Sequence, residues 1–129
     1  MTREQKDLLI KDLCGRLSHG VKCKILETDE VKILGAIQYD GENTLFDFWE
    51  DDQKIQYGYQ LYLSEFKPFL FSLSSMTEEQ NLEYLRTCKG GYIGVPTLVS
   101  FEWCNKNHFD YRGLIPMGLA NDATGLNIY

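Results

Sequence analysis

The segment NKNHFDYRGLIPMG, Asn105 to Gly118, places His108, Asp110, Tyr111 and Arg112 within five consecutive positions. These side chains are the usual means of general acid and base catalysis. Cys104 stands four residues before His108, so on a continuing helix the thiol and the imidazole face each other, the arrangement that activates a cysteine nucleophile. Cys104, His108 and Tyr111 are therefore the candidate catalytic residues of a small enzyme. The segment supplies neither a third group to orient the histidine nor an adjoining glycine-rich turn for an oxyanion. A structural reading accounts for more of the residues. His108 and Phe109 end a helix, Asp110 accepts backbone N–H groups in the turn that follows, and Arg112 reaches a carbonyl or a carboxylate such as Glu102. Phe109, Leu114 and Ile115 then bury, Gly113 and Gly118 permit turns, and Pro116 stops any further helix.

A second constellation, FDFWEDDQ, sets Trp49 and Phe48 beside Glu50, Asp51 and Asp52, with Tyr57 a few residues on. Its plain reading is a solvated loop after a buried strand. Its functional reading is an acidic, aromatic-rimmed surface at Trp49, Glu50, Asp51, Asp52 and Tyr57 that meets a protein partner or imitates a phosphate backbone. GGYIGVP, Gly90 to Pro96, could cradle a phosphate at the start of a helix, but it lacks the lysine and hydroxyl order of a P-loop and reads as a helix-to-helix connection. The aromatic residues from Tyr57 to Phe71 have too few interleaved cations for base stacking and read as sheet packing.

The four cysteines, Cys14, Cys23, Cys88 and Cys104, fall at none of the close spacings of zinc or thioredoxin-like motifs and read as reduced, mostly buried side chains. No metal site and no cofactor are expected. With 19 acidic against 13 basic residues the formal charge is −6, a field that repels a phosphate backbone and disfavours nucleic acid as a partner. Charges interleave with the leucines of MTREQKDLLIKDLC, so no signal peptide is expected there and the protein is placed in the cytoplasm. The longest apolar stretch, FKPFLFSL, is far short of the roughly 18 residues of a membrane span.

The elements that must position these residues are legible in the periodicity. Thr2 with Gln5 forms a capping box, followed by Leu9, Leu13, Cys14 and Leu17 at helical spacing, with Gly20 as the left-handed stop. Val21, Cys23 and Ile25 alternate as a strand; VKILGAIQY is a second strand, DGEN a tight turn, TLFDFWE a third strand, and IQYGYQLYLSEF a fourth with room for a fifth. Thr77 or Ser75 caps a helix that buries Leu82 and Leu85. Pro96 and Thr97 open a last helix with Leu98, Phe101 and either Trp103 or Cys104 inward. GLANDATGLNIY, without periodicity, is expected to lie over the surface. At 129 residues, with 43% hydrophobic and 25% charged side chains, this makes one domain, residues 1–129. The fold class is α+β: an N-terminal helix, an antiparallel meander or small SH3-like barrel, two C-terminal helices and an irregular tail. Exposed strand edges leave monomer and dimer both open.

KPFLFSLSSMTEEQ, Lys67 to Gln80, and WCNKNHFDYRGLIPMGLA, Trp103 to Ala120, resemble a group of short proteins of no known activity carried in many copies by gut anaerobes and their prophages or mobile elements. The resemblance covers about the second half of the chain and carries over no functional residues. It implies an accessory protein of a phage or mobile element. The expected function is accordingly noncatalytic binding of a protein partner. The alternatives are an acidic inhibitor of a nucleic-acid-binding host defence protein and an enzyme built on the Cys104/His108 pair.

Overall fold

The computed structural model of the chain describes residues 1–49, 55–90 and 93–129, and of residues 55–58 the backbone alone. The fold is α+β. Helix α1 (Arg3–Arg16) precedes strands β1 (Lys22–Ile25), β2 (Val31–Tyr39), β3 (Thr44–Trp49), β4 (Ile55–Leu61) and β5 (Phe66–Leu70), followed by helices α2 (Glu78–Thr87) and α3 (Leu98–Lys106) and a short strand β6 (Asn121–Asp122). The six strands form one sheet in the order β4-β3-β2-β1-β5-β6, antiparallel except for the β5/β6 pair.

The meander read from the sequence is present in β1 to β4; closure into an SH3-like barrel is not seen among the described residues. β5 crosses to the far side of β1, pairing Cys23 with Pro68 and Ile25 with Phe66, and no pairing joins β4 to β6 among the described residues. Pro68 has no N–H to give a ladder, yet it is tolerated because β6 begins pairing only at Phe69 on the other side. The irregular tail also needs correction. Its residues 121–122 make β6, and Leu119, Ala120 and Ala123 are buried.

Local chemistry explains the elements. Thr2 Oγ1 accepts the Gln5 N–H at 3.1 Å while the Gln5 amide oxygen accepts the Thr2 N–H at 3.0 Å, closing the predicted capping box of α1. Gly20 ends the turn after it at φ +67°, the left-handed conformation that glycine adopts without a Cβ clash. Val21, Cys23 and Ile25 are all buried, as their alternation requires. Between them and α1 lies the core, in which Leu9 and Leu13 meet Leu34, Phe46, Phe48, Phe66, Leu70 and Leu114. Phe66 anchors it: Phe46 and Phe48 lie edge-on to it with centroids at 5.1 and 4.9 Å. In β2 the pairing with β3 slips between Leu34 and Ala36, and the Trp49 indole lies directly over Gly35. A Cβ there would fall 2.0 Å from Trp49 Nε1, so only glycine fits.

The helices deviate from their predicted faces. Cys14 is exposed, and the inward face of α1 instead includes Asp12 and Arg16, both at 0% exposure. Leu82 of α2 is exposed and Leu85 is half-buried. In α3 the buried side chains are Ser100, Cys104 and Asn105, whereas Leu98, expected inside, is 87% exposed.

Candidate functional site

The site is best built outward from Arg16. One turn separates it from Asp12 on α1, so the two side chains lie on one face. Arg16 Nε donates to Asp12 Oδ2 at 2.7 Å and Nη2 to Oδ1 at 3.2 Å, a two-point pairing in a fully buried setting. The guanidinium also spans to the end of α3. Nη2 donates to the Phe109 carbonyl at 2.6 Å and Nη1 to the Cys104 carbonyl at 3.4 Å, placing a cation against the negative end of that helix. Arg112 adds a second guanidinium: Nε donates to Asp12 Oδ1 at 3.2 Å and Nη2 to the Tyr111 hydroxyl at 3.1 Å. The Tyr111 ring lies under both, 5.5 Å from Arg16 Cζ and 4.9 Å from Arg112 Cζ.

The conspicuous residues of the 105–118 segment are thereby accounted for individually. α3 ends at Lys106, and His108 adopts φ +64°. The Phe109 N–H then reaches the Cys104 carbonyl at 2.9 Å and the His108 N–H the Asn105 carbonyl at 3.4 Å, the bonding of a Schellman motif with histidine in the place usually held by glycine. Because the helix stops before His108, the continuing-helix alignment of Cys104 with His108 does not form. Asp110 accepts the Leu114 and Ile115 N–H groups at 2.8 and 2.9 Å, as the structural reading expects. Arg112 reaches Asp12 and not Glu102, which is held instead by His19 Nε2 at 2.6 Å. The segment is stitched to the sheet through the Phe71 N–H to the His108 carbonyl and the Asp110 N–H to the Phe71 carbonyl, both at 2.8 Å.

Electrostatics does not prepare the candidate catalytic groups for reaction. Burial pushes the Cys104 thiol up to about 11, so at neutral pH it is protonated and a poor nucleophile. Burial, followed by the positive charges of Arg16, His19 and Lys22, pushes His108 down to about 4. Its ring stacks on Tyr129 with centroids 3.7 Å apart, and its Nδ1 is buried without a hydrogen-bond partner among the described residues. The Tyr129 hydroxyl in turn accepts the Lys22 N–H at 2.8 Å and donates to the Phe69 carbonyl at 2.8 Å, fixing the stack against β1 and β5. Tyr111 lines a groove of about 570 Å³ beside α3, and neither Cys104 nor His108 lines it. A thiol reagent is accordingly expected to modify exposed Cys14 rapidly in the native protein and Cys104 only after denaturation, read by mass spectrometry of the digest. Labelling of Cys104 at the rate of Cys14 would contradict this burial and restore the nucleophile.

Of the acidic, aromatic constellation, Trp49 is half-buried over Gly35 and lines a groove of about 500 Å³ with Leu17, Ser18, Gly20 and Ile33. Glu50, Asp51 and Asp52 lie outside the described residues, and Tyr57 belongs to β4 with its side chain outside them. Among the described residues no cluster of three or more His, Cys, Asp or Glu side chains is arranged to hold a metal ion, and no helix is long and apolar enough to cross a membrane.

The outer face of α3 is the feature that sequence reasoning missed. Leu98 is 87% and Val99 63% exposed, and Phe101 follows at 38%. A groove lies on each flank: Thr87, Trp103 and Lys106 line the one toward α2, and Lys11, Tyr111 and Arg112 the one toward α1, with Leu98 and Glu102 common to both. The available signal was Thr97 with Ser100. Thr97 Oγ1 donates to the Thr87 carbonyl at 2.8 Å and Ser100 Oγ to the same carbonyl at 3.0 Å, which turns the hydroxyl side of α3 inward and the leucine side out. No family model, no curated protein and no solved structure matches the chain.

Proposed function

We propose that this protein is a noncatalytic accessory protein that binds a protein partner through the outer face of α3. One observation carries the reading: large apolar side chains at Leu98 and Val99 stand in solvent on a helix with an open groove on either side. Exposed apolar surface of this kind, rimmed by charge, is characteristic of interaction sites. The four residues that suggested chemistry have structural engagements instead: Tyr111 and Arg112 pack with Asp12 and Arg16 of α1, His108 stacks on Tyr129, and Asp110 accepts two backbone N–H groups of the following turn. That supports binding over catalysis. The resemblance of residues 67–80 and 103–120 to proteins of prophages and mobile elements supports a setting in such an element, acting in the cytoplasm of the cell that carries it.

The test compares the wild type with Leu98→Asp/Val99→Asp as baits in lysate of the carrying cells. Both positions are exposed, so the double variant should keep its stability to within about 0.5 kcal/mol of the wild type in a urea titration. The wild type is expected to retain a partner that the double variant retains at least about tenfold less, since two charges set into an apolar contact remove its central anchors. Equal retention by both, or no partner with either, refutes the assignment.

A further inference from the structure

We infer that the element this face receives is an acidic amphipathic helix of the partner, its apolar residues against Leu98 and Val99 and its carboxylates against Lys11 and Arg112. This rests on the binding role proposed above and adds the chemistry of the partner. The charge arrangement points to it. Asp12 is the carboxylate for two guanidiniums, Arg16 and Arg112, so the cluster carries one positive charge more than it neutralises. Arg16 is sealed at 0% exposure, whereas the Arg112 side chain is 21% exposed and lines the groove toward α1. Lys11 lines the same groove and has no ion-pair partner among the described residues. Lys106 lines the opposite groove beside Leu98, Val99 and Trp103. The acid between the grooves, Glu102, is hydrogen-bonded by His19. On a chain of net charge −6, the apolar strip thus carries a basic rim.

Complementarity then selects among occupants. An isologous second copy would bring an identical basic rim against this one, a like-charge contact that costs affinity. A nucleic acid would find cations here but no counterpart for Leu98 and Val99, and the rest of the chain would repel it. An amphipathic helix with leucine-type anchors and flanking glutamates satisfies both the apolar strip and the rim, the helix-in-groove mode.

Two synthetic amphipathic peptides of roughly 15 residues, long enough to form a helix on binding, test this. They share one apolar face and differ in carrying glutamate or lysine at every flanking position. Each is titrated into ¹⁵N-labelled full-length protein, with a single-stranded oligonucleotide as a third probe. The glutamate peptide is expected to shift the resonances of Lys11, Phe101, Trp103 and the Arg112 side chain, and to bind at least about tenfold tighter than the lysine peptide. Lys11→Glu, at an exposed position that leaves the fold intact, should weaken the glutamate peptide about fivefold and strengthen the lysine peptide, an effect of the size of one exposed ion pair. The inference falls if the lysine peptide or the oligonucleotide binds as well, if Lys11→Glu changes nothing, or if neither peptide reaches α3 at about 1 mM. Partner capture that still depends on Leu98 and Val99 would, in any of those cases, leave the binding role standing and remove only the acidic helix.

Discussion

Replacing Arg16 with methionine is expected to lower the stability of the fold by about 3–5 kcal/mol in urea denaturation, the cost typical of breaking a buried ion pair by removing one partner. Methionine fills a similar volume, so the loss reports charge and hydrogen bonds more than packing. With Arg16 absent, the fully buried Asp12 carboxylate keeps, among the described residues, the Arg112 bond alone, and the Cys104 and Phe109 carbonyls lose the donor that reaches them from α1. Arg16→Lys should be nearly as harmful, at about 2 kcal/mol or more, because an ammonium cannot grip a carboxylate at two points and span to two carbonyls as well. The double variant Asp12→Asn/Arg16→Met separates the causes. Removing the stranded charge together with its partner is expected to return at least about 1 kcal/mol relative to Arg16→Met. A loss under about 1 kcal/mol for Arg16→Met, or a double variant less stable than the sum of the singles, would show that this cluster does not hold α1 to α3.

That cluster also shows where a sequence reading stops. Asp12 and Arg16 fall three and seven residues after Leu9, squarely on the apolar stripe of α1, and the i,i+4 spacing of acid and base was visible. Periodicity alone gave no reason to bury them, because the groups that make their burial tolerable, Arg112 and the carbonyls of Cys104 and Phe109, lie 88 to 100 residues away in sequence. Local signals carried further elsewhere. Three capping boxes, at Thr2, Thr77 and Thr97, fix where each helix begins, and the alternation of Val21, Cys23 and Ile25 gives the buried face of β1 correctly. The barrel reading failed at β5. Pro68 lacks a ladder N–H, and only the nonlocal pairing of Cys23 with Pro68 and of Phe69 with Asn121 reveals the strand's place in the sheet. In α3 the hydrophobic pattern pointed the wrong way, because Ser100 bonds the end of α2 and so competes with leucine for the interior.

Stability should fall between about pH 6.5 and 4, with His108 as a principal cause. The folded protein holds this imidazole neutral because its ring is buried against Tyr129 and faces the positive charges of Arg16, His19 and Lys22. The unfolded chain protonates it near 6.5, the folded one only near 4. The unfolded state therefore binds more protons in this interval, and linkage requires the contribution of His108 to be complete above about pH 6.5 and to be lost as the pH falls toward 4. Discounted for the partial exposure of the ring, that contribution is about 2 kcal/mol. His108→Asn isolates it. Asparagine tolerates the left-handed backbone that His108 occupies at φ +64°, and it cannot titrate. The variant loses the stack on Tyr129 and should be less stable at every pH. Its stability should nevertheless decline less steeply than the wild type's over this interval, so that the two curves converge on acidification. Parallel curves would mean that His108 does not contribute to the decline, and that the Schellman turn at His108 is set by its backbone bonds alone.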